Sequence, residues 1–282
     1  MKTLYISDLD GTLLNSEGKL TDESAEMLNK AIEGGALFSI ATARTPGTVA
    51  EIMKGVKANL PYIVMTGGAL WNPADRGFSH IKSIPSHEAE KILGVFLRHS
   101  VPVFIYCFQE GKIHIYHKGP LSPQEIEFMK GKEGEFKTFH VPADGESTLP
   151  EPLPDVALFY SIRTSEASRP AYEEIKATCR CSPLYYQDIY GDRVNVLEAF
   201  SPEATKAKAI RRLKELTGAD RVVAFGDNVN DLPMLREADM AVAVENAIPE
   251  VKEMADIVIG PNTAGSVARF ILTDSQFSNH EI

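Results

Sequence analysis

Apolar and polar positions follow one rhythm at both ends of the chain and another in its middle. At the start, Leu4 and Ile6 face one way and Tyr5 the other, a strand pattern that gives way to Asp8, Asp10 and Gly11. Ala25, Leu28 and Ile32 then recur at helical spacing behind Thr21-Asp22-Glu23, an N-cap with an acidic first turn, and Gly34-Gly35 stops the helix. The apolar run 36–41 predicts a buried strand that ends at Thr42-Ala43-Arg44, followed by a helix over 46–57 and a strand over 62–65. Strands alternating with helices imply a parallel sheet with right-handed crossovers. Ligands of such sheets bind beyond the carboxyl ends of the strands, where Asp8 and Thr42 lie.

The rhythm changes after Thr66-Gly67-Gly68-Ala69. Between 81 and 188 the pattern predicts a helix around Glu88–Phe96 and strands over 101–107 and 112–117 joined at Gln109-Glu110-Gly111. A helix over 123–129, a strand over 136–141, a proline-rich loop over 142–154, a strand over 156–162, a helix over 166–178 and a strand over 184–189 follow. Short strands with hairpin links suggest a separate open α+β sheet. The first rhythm resumes near Arg193. Ser201-Pro202-Glu203 reads as a helix start with Pro at the first helical position and Lys206 in the first turn, and Gly218 as the helix end. Residues 221–225 form a strand that runs into Gly226-Asp227-Asn228-Val229-Asn230-Asp231. Strands over 240–244 and 257–259 and helices over 246–255 and 263–272 complete the chain, and the polar end from Asp274 is expected to fray. The fold class is therefore α/β: a Rossmann-like parallel-sheet core over 1–80 and 189–282, with an inserted α+β domain over 81–188.

Composition narrows the function. The 282 residues are 44% hydrophobic and 24% charged, ordinary for a globular chain. A net charge of −10 argues against a nucleic-acid partner, which needs a cationic footprint. No apolar run reaches the ~18 residues of a membrane span, and the chain enters its first strand without a leader, so a cytoplasmic setting is expected. Cys107, Cys179 and Cys181 are too few for a disulfide scaffold, and Cys179-x-Cys181 lacks the second pair of a zinc site. His114 and His117 fall on opposite faces of a strand and should not chelate together. The oligomeric state is open.

The candidate chemistry sits at strand ends. Two carboxylates spaced i and i+2 at the tip of a buried strand are costly unless a cation lies between them, and Mg²⁺ prefers carboxylates together with phosphate oxygens. A strand-to-turn junction would use Asp and Gly as well, so the reading turns on the other motifs. The run Asp8-Leu9-Asp10-Gly11-Thr12 resembles the DxDGT signature of the haloacid dehalogenase superfamily of phosphohydrolases. Thr42 is similar to the strand-end Ser or Thr of the second motif. Thr205-Lys206-Ala207-Lys208-Ala209-Ile210 resembles the S-K-G-x-A-L segment, and Gly226 to Asp231 resembles G-D-x-x-N-D. The branch resembled is the Cof-type, class IIB, sugar-phosphatase-like one, with a type IIB cap at the place of the inserted domain. Three departures are visible: Ala43 and Ala207 stand where that branch often has Gly, and Gly67 where it often has Asn.

The resemblance implies a phosphomonoesterase with Mg²⁺ as cofactor and a small phosphorylated metabolite, such as a sugar phosphate, as partner. Asp8 would be the nucleophile that becomes an aspartyl-phosphate and Asp10 the general acid and base. Thr42 and Lys206 would hold the phosphoryl group, and Asp8, the Asp10 carbonyl, Asp227 and Asp231 the metal, with Asp231 direct or through water. Asn230 would bond the phosphate or position Lys206. Arg44 could clamp phosphate, or as an N-terminal helix Arg simply face solvent or pair with an acid. Two alternatives are a phosphosugar mutase or phosphotransferase on the same core and a non-catalytic sugar-phosphate-binding protein.

Overall fold

The computed structural model describes residues 1–130, 134–187 and 194–278. The chain divides into two compact units, 1–81 with 204–282, and 82–203.

The first unit holds six parallel strands: β1 (Thr3–Ser7), β2 (Leu37–Ile40), β3 (Tyr62–Val64), β4 (Arg221–Gly226), β5 (Met240–Val244) and β6 (Ile257–Ile259). The sheet order is β6-β5-β4-β1-β2, and β3 joins β2 through a parallel bridge between Ala41 and Ile63. Every residue of β1 is buried, as a central strand covered on both faces requires. Helix Ser266–Ser278 packs against this strand and against helix Asp22–Glu33, and the hydroxyl of Tyr5 donates to Asp274 at 2.7 Å. Because the strands are parallel and adjacent, the residues that follow β1, β2 and β4 emerge at one edge of the sheet: Asp8, Thr42 and Asp227.

The second unit is a six-stranded sheet in the order Ser182–Gln187, Val194–Phe200, Val156–Thr164, Val103–Gln109, Lys112–Lys118, Lys137–Phe139. All pairs are antiparallel except the last. Glu110 and Gly111 take positive φ, 47° and 73°, and close a two-residue hairpin between the fourth and fifth of these strands. Helices Ser86–Arg98 and Ser165–Thr178 contribute Ile92, Phe96 and Ile175 to an apolar cluster with Ile105, Phe159 and Leu197 of one sheet face. Phe104 and Tyr160, which share the opposite face, pack around Phe128 of the short helix Pro123–Met129.

Two expectations need correction, and others fall on residues that are not described. The expected boundary at 188/189, Arg193 and the outer end of the 184–189 strand lie outside the described residues, as do the last residues of the polar tail. Val194–Phe200, assigned above to the core, instead pairs antiparallel with Val156–Thr164 and Ser182–Gln187. An apolar run marks a strand but does not say which sheet receives it. The helix that carries Lys206 starts at Lys206 itself, with Thr205 as N-cap accepting from the Lys208 amide at 3.1 Å. Ser201 accepts from the Glu203 amide and forms a turn ahead of it.

Candidate active site

Asp8 leaves β1 with its amide donating to the Phe225 carbonyl of β4 at 3.0 Å, so the parallel ladder continues one residue past the strand. The chain then turns through Leu9–Leu13, closed by the Leu14 amide on the Leu9 carbonyl at 2.9 Å. Gly11 makes this turn possible twice over. Its φ is +80°, and a Cβ there would stand 2.5 Å from Oδ2 of Asp227. Thr12 ties the same turn to Asp227, its hydroxyl donating to Oδ1 at 2.7 Å. No role was expected for Thr12 from sequence, although it belongs to the quoted motif.

At the centre is Lys206, 2% exposed. Its ammonium donates to Asp8 Oδ1 at 2.5 Å and to Asp231 Oδ1 at 2.7 Å. The other oxygen of Asp231 accepts the backbone amides of Asp227 and Asn228 at 3.1 and 3.2 Å, which closes the turn after β4. Gly226 clears the space for it: a Cβ there would lie 2.6 Å from that of Asp231. Gly67, with φ +94°, touches the backbone of Thr205 so closely that any side chain would collide with its carbonyl. The Asn of the resembled branch has no room there, and the Lys206 helix is seated against bare backbone.

Asp8, Asp227 and Asp231 bring carboxylate oxygens within 4.8 Å of one another. Burial pushes Asp8 up to about 7; Lys206 opposes this, while Asp231 and Asp227 add to it. Burial also raises Asp227, against the hydrogen bond from Thr12. Lys206 is raised, because the two carboxylates outweigh the burial that would lower it. Three acids thus face one ammonium, and Asp8 Oδ2 and Asp227 Oδ2 accept none of the hydrogen bonds that engage their Oδ1 atoms. Hard oxygens with charge left unbalanced fit a divalent cation of the Mg²⁺ type. Asp231 has both oxygens engaged and is the least available of the three.

Thr42 is buried at the end of β2, with its hydroxyl accepting from the Arg44 amide at 3.1 Å. The side chain of Asp10 is not in the acidic cluster. Arg44 grips it with two hydrogen bonds, Nε to Oδ2 at 2.8 Å and Nη2 to Oδ1 at 2.6 Å. Arg44 therefore pairs with an acid, one of the readings the sequence left open. Asn230 is exposed on the turn Val229–Asp231; Lys206 is held by Asp8 and Asp231 instead.

Residues 5–271 match the family of haloacid dehalogenase-like hydrolases. Among curated proteins, the chain is 26% identical over 293 residues to 5-amino-6-(5-phospho-D-ribitylamino)uracil phosphatase YwtE of Bacillus subtilis, covering 96% of this chain and 97% of that one. It is 26% identical to pyridoxal phosphate phosphatase YbhA of Escherichia coli, over 94% and 95% of the two chains. Among solved structures, a haloacid dehalogenase-like hydrolase from Bacteroides thetaiotaomicron superposes with a TM-score of 0.75 at 23% identity, over 97% and 100% of the chains. The subclass IIB sugar phosphatase BT4131 does so with 0.65 at 20% identity, over 97% and 99%. With the motifs gathered at one sheet edge and a match that spans nearly the whole chain, this protein belongs to the haloacid dehalogenase-like hydrolase family, among its Cof-type phosphatases.

Proposed function

We propose that the chain is a Mg²⁺-dependent phosphomonoesterase for small phosphorylated metabolites, with sugar phosphates as the leading class, that works through an aspartyl-phosphate on Asp8. The observation that carries this reading is the Asp8 carboxylate: buried, with Oδ1 held by Lys206 and Oδ2 clear of that bond. A carboxylate fixed at one oxygen presents the other as nucleophile.

Asp8 Oδ2 bonds to phosphorus as the bond from phosphorus to the leaving oxygen breaks, and Asp10 gives its proton to that oxygen. Water then attacks phosphorus, Asp10 takes the proton, and the bond to Asp8 breaks to release phosphate. Lys206 and Thr42 face the equatorial oxygens, where charge develops. Asp227, the Asp10 carbonyl and Asp8 through the oxygen that does not attack phosphorus would hold the metal, with Asp231 acting through Lys206 and the backbone turn. A bound Mg²⁺ supplies charge neutralisation for the nucleophile and the phosphoryl oxygens. Arg44 orients Asp10; gripping phosphate as well requires their pair to open. Asn230, exposed beside Asp231, is a phosphate donor in this reading.

The second unit reads the leaving group. One face of its sheet presents Tyr186 and Glu198, with the tyrosine hydroxyl donating to the carboxylate at 3.3 Å, a polar pair suited to hydroxyl-rich groups. The free thiols of Cys107, Cys179 and Cys181 agree with a cytoplasmic setting. Among the described residues no helix is long and apolar enough to cross a membrane.

The test is a screen of sugar phosphates, nucleotides and phosphorylated cofactors in ¹⁸O-labelled water. Activity should require Mg²⁺, vanish with EDTA and return on re-addition, and released phosphate should carry label. Turnover without metal defeats the metal assignment, and phosphate returned to substrate in place of labelled release means a mutase or transferase.

A further inference from the structure

The turn that carries Asp10 is braced from two distant loops. The Asn246 side-chain amide donates to the Gly11 carbonyl at 2.7 Å. Its oxygen accepts the Asn262 backbone amide at 3.0 Å. The Asn262 side chain in turn donates to the Leu14 carbonyl at 2.7 Å. Asn246 lies two residues past β5 and Asn262 three past β6, so the loops after β1, β5 and β6 are joined through two carboxamides.

The brace meets a need that the turn creates. Residues 9–13 are irregular: Asp10 has an extended ψ of 117° and Gly11 a positive φ, so the Gly11 carbonyl points away from regular ladder partners. Asn246 must donate to one neighbour and accept from the other, which among side chains of that length only a carboxamide does. The same turn already touches Asp227 at Gly11 and Thr12. Those contacts fix its inner side; the asparagines fix its outer side. Asp10 lies one residue before the first braced carbonyl, and its side chain is more than half exposed, held by Arg44.

Resting on the function proposed above, we infer that Asn246 and Asn262 are positioning residues that set where Asp10 delivers its proton. Neither touches substrate or the reacting atoms. They hold the backbone of the turn from which the Asp10 carboxyl swings, and proton transfer demands hydrogen-bond reach to the leaving oxygen. A displacement of about 1 Å at this point is enough to slow the chemistry strongly.

The test separates this role from a merely structural one by the basicity of the leaving group. kcat/KM is measured for 4-nitrophenyl phosphate, whose phenolate leaves with little help, and for phenyl phosphate, whose more basic oxygen calls on the acid. Asn246→Ala, and Asn246→Asp, which keeps the acceptor and removes the donor, should lose about tenfold on phenyl phosphate and no more than about twofold on the nitrophenyl ester. Asp10→Asn serves as the reference and should show the same bias, larger. Equal losses on both esters for the Asn246 variants, with the bias intact in Asp10→Asn, overturn the brace alone. No bias in Asp10→Asn removes Asp10 from the acid's role, and the brace falls with it. Should Asn246→Ala fail to fold, Asn262→Ala cuts the same chain one link further out and is held to the same ratio.

Discussion

Two buried ionic clusters, one in each unit, resemble each other until their charges are counted. In the second unit Glu125 is fully buried; its Oε2 accepts Arg163 Nη2 at 2.7 Å while Oε1 lies 2.7 Å from Nη1 as an ion pair, and the carboxylate also accepts the Ser122 amide at 2.9 Å and meets the His117 ring at 3.4 Å. His117 is in turn satisfied by the Gly145 carbonyl at 2.9 Å. Burial pushes the Glu125 carboxyl up, but the bonds from His117 and Arg163 more than offset it and hold the group below its ordinary value. In the first unit three acids share one ammonium, and Asp8 rises to about 7. Burial is comparable; the balance is opposite. A closed cluster locks a helix onto a sheet. An open one stores a demand for positive charge that a cation and a phosphoryl group can meet.

The largest expected effect breaks the open cluster. Asp8→Asn should lower turnover by at least ~10³-fold, while thermal unfolding stays near that of the parent, because removing a charge from an acidic cluster relieves repulsion. Near-normal turnover would take the nucleophile's role from Asp8.

Breaking the closed cluster should do the reverse. Glu125→Ala leaves Arg163 buried beside an empty partner and should cost about 3–5 kcal/mol of stability in the second unit, read by denaturant titration. Turnover of 4-nitrophenyl phosphate per folded molecule should survive. The acid limb carries the same sign: a carboxylate with a depressed native pKa stabilises above its unfolded value of about 4.3 and loses that contribution as pH falls through the native one. The parent should therefore weaken in acid more steeply than Glu125→Gln.

A third, smaller change sharpens the contrast within the second unit. Burial pushes Glu198 up to about 6, only partly relieved by Tyr186. Between its unfolded value and about 6 the native state keeps a proton that the unfolded chain releases, so stability falls across that window and stays lower above it. Glu198→Gln removes this penalty. It should gain up to about 2 kcal/mol over the parent at pH 8 and nothing at pH 4, by melts at the two pH values.

How much of this was legible depended on whether neighbours in sequence carried the signal. β5 and β6 and the helix Pro123–Met129 fall where the pattern placed them, because turn residues and caps bound them locally. Asp8, Lys206, Asp227 and Asp231 could be picked out because they sit in three short motifs at strand ends and a helix start, and the parallel order brings them together. What failed was long-range. Val194–Phe200 has the same strand pattern whichever sheet it joins. The partner of Arg44 is 34 positions away, and those of Asn246 and Glu125 are likewise set by topology. A lone asparagine in a loop carries no mark of the carbonyl it will meet.

The strand order also governs when the protein is made whole. β1 lies between β4 and β2, and its Thr3 is registered against Arg221. On the ribosome its β2 flank can pair early, but the other flank stays bare until residues 221–226 have emerged. All of 82–203, with its own sheet and apolar cluster, leaves the exit tunnel in the meantime. The chemistry is thus completed last, and an interrupted chain carries Asp8 on a half-dressed strand.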